Sequence, residues 1–242
     1  MISQMKKYVF YLSLILIYSF NSCNSINCEE GEGDFVAIQK EIVNFSDLKV
    51  SGDFEIILKQ SNKISCTIET YENLHKFVEV RNSGRALEIK LKKCISSNKK
   101  NKVFINAPQI ELIDVSGSSL VKSDGIYKFK DLEIEGSGAS NINMFLDADK
   151  LDMDLSGSSE VYLKGTASDL TFEVSGSGQL NAFDLKTLNA DVKISGAGDC
   201  NVNVRNKLYA RVSGAGNVKY RGNPENIDSK VSGAGSISKS NI

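Results

Sequence analysis

One short phrase recurs seven times in the second half of this chain and restricts what it can fold into. It reads Val115-Ser-Gly-Ser-Ser119, Glu135-Gly-Ser-Gly138, Leu155-Ser-Gly-Ser-Ser159 and Val174-Ser-Gly-Ser-Gly178. It continues as Ile194-Ser-Gly-Ala-Gly198, Val212-Ser-Gly-Ala-Gly216 and Val231-Ser-Gly-Ala-Gly235. Counted from the first glycine of each copy, the steps are 19, 21, 19, 20, 18 and 19 residues. A fixed period near 20 is the mark of a solenoid, in which each repeat is one coil stacked on its predecessor.

Short runs of alternating apolar and polar residues flank each phrase. Leu151, Met153 and Leu155 alternate with Asp152 and Asp154; Leu170, Phe172 and Val174 do the same before Gly176. Period-two alternation means strands with one buried face. The residue four beyond the glycine is Val121, Val161, Leu180, Cys200, Val218 or Ile237 in six of seven copies, a column expected to stack inward. The copy at Gly136 departs, with Ser140 in that place and Ile142 two later, and a local bulge is expected there. Two strands and two corners fill about 20 residues, which predicts an all-β fold, a parallel β-helix rather than an antiparallel meander. Gly52, Gly117, Gly136, Gly157, Gly176, Gly196, Gly214 and Gly233 are the expected corners, where φ > 0 and close backbone approach are needed. Leu48-Lys-Val-Ser-Gly52 reads as an eighth, degenerate copy, 65 residues ahead of Gly117.

The first residues are not expected to belong to the fold. Lys6 and Lys7 precede an apolar run from Tyr8 to Phe20, the form of a secretory signal and too short for an ordinary membrane span. Residues 1–22 are therefore assigned to a signal peptide. Ser22-Cys23 resembles a lipoprotein processing site, which makes Cys23 the expected lipidation site and a membrane leaflet the expected anchor. Residues 23–34, with Glu29, Glu30, Glu32 and Asp34, read as an acidic tether. Residues 35–108 read as an irregular first half of the solenoid, with a small helical turn near His75, and 109–242 as its regular half. The protein is expected to be exported and then held at the outer membrane or cell surface, or kept in the periplasm.

Loss of residues 1–22 would remove two lysines and no acids, leaving 27 basic against 30 acidic residues. So mild a balance argues against nucleic acid as a partner. The basic run Lys90–Lys102 reads as a solvated, edge-protecting segment. Cys200 falls on the inward column and is expected to be buried. Export permits a disulfide, and Cys28, Cys66 and Cys94 leave its pairing open. His75 is the single histidine, expected on an exposed turn, with no nucleophile near it in sequence. The Gly-x-Gly phrases lack the Lys-Ser/Thr continuation of a phosphate loop. Asp147, Asp149, Asp152 and Asp154 lack the tandem glycine-aspartate pattern of calcium-binding solenoids and read as one outer face. No catalytic, cofactor-binding or metal-binding residues are expected, and no cofactor.

Leu48-Lys-Val-Ser-Gly-Asp-Phe54, the train of Ser-Gly-Ala-Gly phrases and the ending Val218-Lys-Tyr-Arg-Gly-Asn-Pro224 resemble the GIN-type head domain of autotransporter-adhesin proteins, across about residues 36–240. The sequence departs from that pattern at Glu135, Ser119 and Ser159, where altered corners are expected. The resemblance implies a right-handed, single-stranded β-helix and an adhesin-like role in secreted or lipid-anchored proteins of Bacteroidetes, with no catalytic residues. An autotransporter barrel is not expected, since nothing after the repeats could form one. The expected function is a non-catalytic cell-envelope binding module that presents a stacked face, with Asn141, Asn143, Asn181, Asn201, Asn203, Tyr162 and Tyr220, to polysaccharide or protein. The alternatives are a polysaccharide-active enzyme of pectinase or lyase type, by fold analogy alone, and a self-associating envelope protein, a homo-oligomer.

Overall fold

The computed structural model describes residues 28–241; the expected signal peptide and Cys23 lie outside the described residues. Strand makes up 73% and helix 3%, arranged as a parallel β-solenoid of about 7 turns with ~19 residues per turn. The elements of the amino-terminal part are β1 (Glu29–Glu30), β2 (Phe35–Lys40), β3 (Asp47–Gly52), β4 (Glu55–Gln60) and β5 (Ser65–Tyr71). A 3-10 helix (Glu72–Phe77) follows, then β6 (Val78–Ser83), β7 (Ala86–Leu91), β8 (Ile95–Ser96) and β9 (Lys102–Ala107). The regular part opens with β10 (Leu112–Gly117) and continues through the long β11 (Leu120–Gly136), β12 (Asn141–Gly157), β13 (Glu160–Gly176), β14 (Gln179–Gly196) and β15 (Asp199–Gly214). It closes with β16 (Asn217–Gly222), β17 (Asn226–Gly233) and β18 (Ser236–Lys239).

The coils do not stack in the order of the chain. β3 lies between β7 and β10, and β4 lies between β9 and β11, all four pairings parallel. The coil made by β7 and β9 therefore sits beneath the one made by β3 and β4, although it comes later in sequence. Gly117 stacks directly on Gly52 despite the 65 residues between them: a Cβ on Gly117 would lie 2.6 Å from the Gly52 carbonyl oxygen. From β10 onward the order is sequential. Beneath the β7–β9 coil the direction changes: β6 runs antiparallel to β7, β5 antiparallel to β9, and β2 antiparallel to β5.

One apolar cluster runs the length of the stack. Ile56, Val121, Ile142, Val161, Leu180, Cys200 and Val218 form one wholly buried column. Val50, Val115, Leu155, Val174, Ile194 and Val212 form the facing one. Cys200 is buried, as its column requires.

The corner at the second copy is not Gly136. Gly136 pairs with Val115 on one side and Leu155 on the other, so it occupies a position in the aliphatic column. The bend is made by Gly138, with φ +79 and its would-be Cβ 2.9 Å from the Gly117 carbonyl oxygen. Counted from Gly138, the residue four beyond is Ile142, and the inward column is unbroken. The long step is taken up earlier, where β11 shifts register between Lys122 and Ile126 around Asp124-Gly125. The other seven expected corners, Gly52 included, all have positive φ.

The serines that replace a second glycine do not alter the corners. Ser118, Ser158 and Ser177 donate their backbone N–H groups to Gly52, Gly138 and Gly157 in the same pattern. Ser119, Ser140 and Ser159 turn inward and are buried. Ser140 Oγ and Ser159 Oγ lie 2.9 Å apart, beside the space that Gly136 leaves without a side chain.

From Cys28 onward the expected acidic tether is part of the fold. Cys28 forms a disulfide with Cys94, β1 pairs in parallel with β8, and the Gly31 N–H donates to the Ser96 carbonyl at 2.8 Å. The stretch from Cys28 onward is thus fastened to the fold by a covalent bond and a strand pair. Cys66 is free and buried in β5, which settles the pairing that three cysteines left open. Burial pushes its thiol up to about 12.

Candidate functional site

Two outer faces of the stack carry repeated polar columns, because residues at equal offsets from the corner glycine come into register one strand apart. On the face formed after the corner, Asn141, Glu160, Gln179, Asp199, Asn217 and Ser236 make one column. Asn143, Tyr162, Asn181 and Asn201 make the next. The Asn201 amide donates to Asn181 Oδ1 at 2.9 Å, Asn217 to Asp199 Oδ1 at 2.9 Å, and Ser236 to Asn217 Oδ1 at 2.7 Å. Tyr162 is 43% exposed, and its hydroxyl donates to Glu160. Asn203 donates to the Phe183 carbonyl. Tyr220 does not join them. It pairs with Val202 on an inward position and packs against the core.

The face formed before the corner carries a charged column that the sequence reading did not identify. Lys49, Asp114, Glu135, Asp154, Glu173, Lys193, Arg211 and Lys230 are successive partners across eight strands. Its middle is acidic and its far end basic. Each of these residues stands three before a corner glycine, so the column was open to a reader who aligned the copies on Gly138. Glu133 and Asp152 pair in the neighbouring column. The Glu135 carboxyl is raised above its ordinary value by partial burial and then by Asp114 and Glu133 beside it. Farther along, Lys193 bonds Glu173 at 2.7 Å, and Arg211 bonds Asp228 at 2.8 Å while lying 3.9 Å over the Tyr209 ring.

Beside the charges runs a column of serines, Ser156, Ser175, Ser195, Ser213 and Ser232, in register on consecutive strands. Small side chains next to long ones leave a trench. One part, about 460 Å³, lies among Glu173, Lys193, Arg211, Ser175, Ser195 and Ser213. A second, about 220 Å³, lies among Asp114, Glu135, Ser137 and Ser156, and the two parts share Asp154. The trench is crossed by one strand every ~4.8 Å, so any feature it offers a ligand is offered repeatedly along a line.

The other candidates resolve into structural roles. His75 is 7% exposed, not on an open turn. Its Nε2 lies 3.1 Å from the Val36 carbonyl oxygen, and burial lowers its basicity, so the neutral ring donates there. The basic run Lys90–Lys102 is largely paired within the chain: Lys90 with Glu79, Lys93 with Glu29, Lys100 with Asp53 and Lys102 with Glu69. Asp147 accepts from the Thr166 hydroxyl and Asp152 pairs with Lys150. Among the described residues no group of three or more His, Cys, Asp or Glu is placed to hold a metal ion.

The family described as "Putative auto-transporter adhesin, head GIN domain" matches residues 44–224, from β3 through the Tyr-Arg-Gly-Asn-Pro ending. The chain belongs to this family. No curated protein matches it. Solved structures that share the fold of this GIN head domain include three from Bacteroides and Parabacteroides. The "putative adhesin" of Bacteroides fragilis superposes with a TM-score of 0.83 at 24% identity, covering 87% of this chain and 99% of the other. A "putative lipid binding protein" of Parabacteroides distasonis gives 0.72 at 24% identity, covering 87% and 98%. A "putative adhesin" of Parabacteroides merdae gives 0.69 at 22% identity, again covering 87% and 98%. An adhesin-type GIN head domain goes with a place at or outside the cell surface. The match stops at residue 224, so the last coil, β17 and β18, lies outside it.

Proposed function

We propose that this GIN head domain is a non-catalytic module of the cell envelope that holds an extended polysaccharide along the trench between the charged column and the serine column. The observation that carries this reading is the repetition itself. A row of hydroxyls at strand spacing, flanked by carboxylates, then by ammonium and guanidinium groups, offers hydrogen bonds to successive units of a linear polymer. A compact ligand would use one segment of such a surface and leave the others idle. A lipid on Cys23 would hold the module on its membrane close by the disulfide-bonded Cys28.

Binding of purified bacterial and host polysaccharides, measured by titration calorimetry, tests the assignment. Ser175→Trp and Ser195→Trp fill the trench from exposed positions, so they abolish binding and leave the melting temperature unchanged. Tyr162→Ala, on the other face, leaves binding intact. Full affinity in both tryptophan variants, or no polysaccharide bound by the wild type, overturns the reading. Release of reducing ends that is lost in Glu135→Gln would replace binding by hydrolysis.

A further inference from the structure

The two ends of the stack are finished differently. At the amino-terminal end the coil of β7 and β9 is covered by β5, β6 and β2, which run antiparallel to the stack, and by the strap that Cys28–Cys94 holds in place. At the other end, β17 pairs only with β15 and β18 only with β16, among the described residues. All eight residues of β17 are exposed. Ile227 and Val231 continue the inward columns of Leu208 and Val212, yet they are 47% and 40% exposed where Leu208 and Val212 are 1% and 2%. An open edge with an uncovered apolar row is a template for another strand.

We propose that this end is an interface with a second copy of the chain, joined through an antiparallel β17–β17 pair centred on Ser229. The sequence of β17 carries the assignment, because it is complementary to its own reverse. With Ser229 opposite Ser229, Ile227 faces Val231 on the inward side, and Asp228 faces Lys230 on the outward side. The Ile227–Val231 contact is apolar with apolar and the Asp228–Lys230 contact acid with base, each formed twice by symmetry, with Ser229 against its own copy between them. A register shifted by two residues either way would set Lys230 against its own copy or Asp228 against its own. Among the described residues Lys230 makes no ion pair that it would have to give up. Asp228 presents its carboxylate between Arg211 of its own chain and Lys230 of the second copy. Ile237 of β18 stands on the same end, next to buried Val218. The two-fold operation joins open end to open end. Both capped ends then point away, and growth stops at a dimer rather than continuing as a fibre.

Sedimentation equilibrium on the full chain carrying Cys23→Ser, which removes acylation, reads the association directly. A concentration-dependent monomer–dimer equilibrium is expected. Ile227→Lys with Val231→Lys abolishes it while circular dichroism shows a folded monomer, because both side chains are already exposed. Lys230→Glu replaces two opposite-charge pairs by two like-charge pairs and weakens the dimer roughly tenfold. Ser229→Cys gives a covalent dimer under mild oxidation, and buried Cys66 and Cys200 do not compete. A monomer at every concentration overturns the proposal, as does a dimer indifferent to the two lysines. Cross-linking through Asn226→Cys but not through Ser229→Cys overturns the register.

Discussion

Gly196 has no room for a side chain. Its φ is +134, and a Cβ there would fall against the Gly176 carbonyl oxygen of the preceding coil, closer than such atoms approach. Gly196→Val therefore combines backbone strain with displacement of a neighbouring strand and costs about 3 kcal/mol. The shift in guanidinium midpoint measures it, and an unchanged midpoint would falsify the corner. Gly136 is the opposite case. It looks like a corner because Gly136-Ser137-Gly138 offers two glycines, but it stands in the core, and the paired hydroxyls of Ser140 and Ser159 sit beside its missing side chain. The two were separable in the sequence. Aligning the copies on the inward aliphatic, with Ile142 as the member for this coil, selects Gly138. The burial of His75 had no such signal, since its ring meets the Val36 carbonyl of β2, 39 residues away in the chain, and neither the period nor the alternation reports that contact.

A strand in this stack inherits its neighbours' outer residues. Where the offset from the corner is kept, like side chains meet like. That gives hydrogen-bonded amides on one face and, on the other, Asp114, Glu135 and Asp154 on adjacent strands. Like charges directly across a strand pair destabilise it. The raised Glu135 carboxyl reflects its partial burial first and this repulsion second. Because its folded value lies above the ordinary 4.5, the folded state binds the proton more readily. The penalty is present in full above the raised value and vanishes as pH falls through 4.5. Glu135→Gln thus raises the melting temperature at pH 7 and low salt, and the gain disappears near pH 4 and shrinks in high salt. A melting temperature that drops at pH 7 would show that the ionised carboxylate is held by favourable contacts instead. The strands themselves were legible from alternation. The charged column was written at a constant offset of three before each bend, and only the misplaced second corner concealed it.

At the scale of the whole molecule, stability is a sum over neighbouring coils, so the ends decide where opening begins. The amino-terminal end is closed by antiparallel strands and by a disulfide that spans 66 residues. A loop of that length corresponds to about 4 kcal/mol of chain entropy, and measured values for such bonds run at about 2–4. Cys94→Ser lowers the unfolding free energy by that amount; a loss well under 1 kcal/mol would show that β1 and β8 hold this end unaided. That the fold is a solenoid was plain from the period. The order of its first coils was not, because a period reveals that copies stack but not which copy lies on which. The insertion of β7 and β9 beneath β3 depends on pairings across about 40 residues that leave no local trace.

That insertion also sets when the protein can take shape. The β3–β4 segment is made early, yet the strands on both sides of it are made later, β7 and β9 first, then β10 and β11. A chain emerging from its amino end holds a ribbon with a bare upper edge until β10 and β11 have followed. Contacts so distant along the chain form slowly, which leaves the polypeptide threadable for longer.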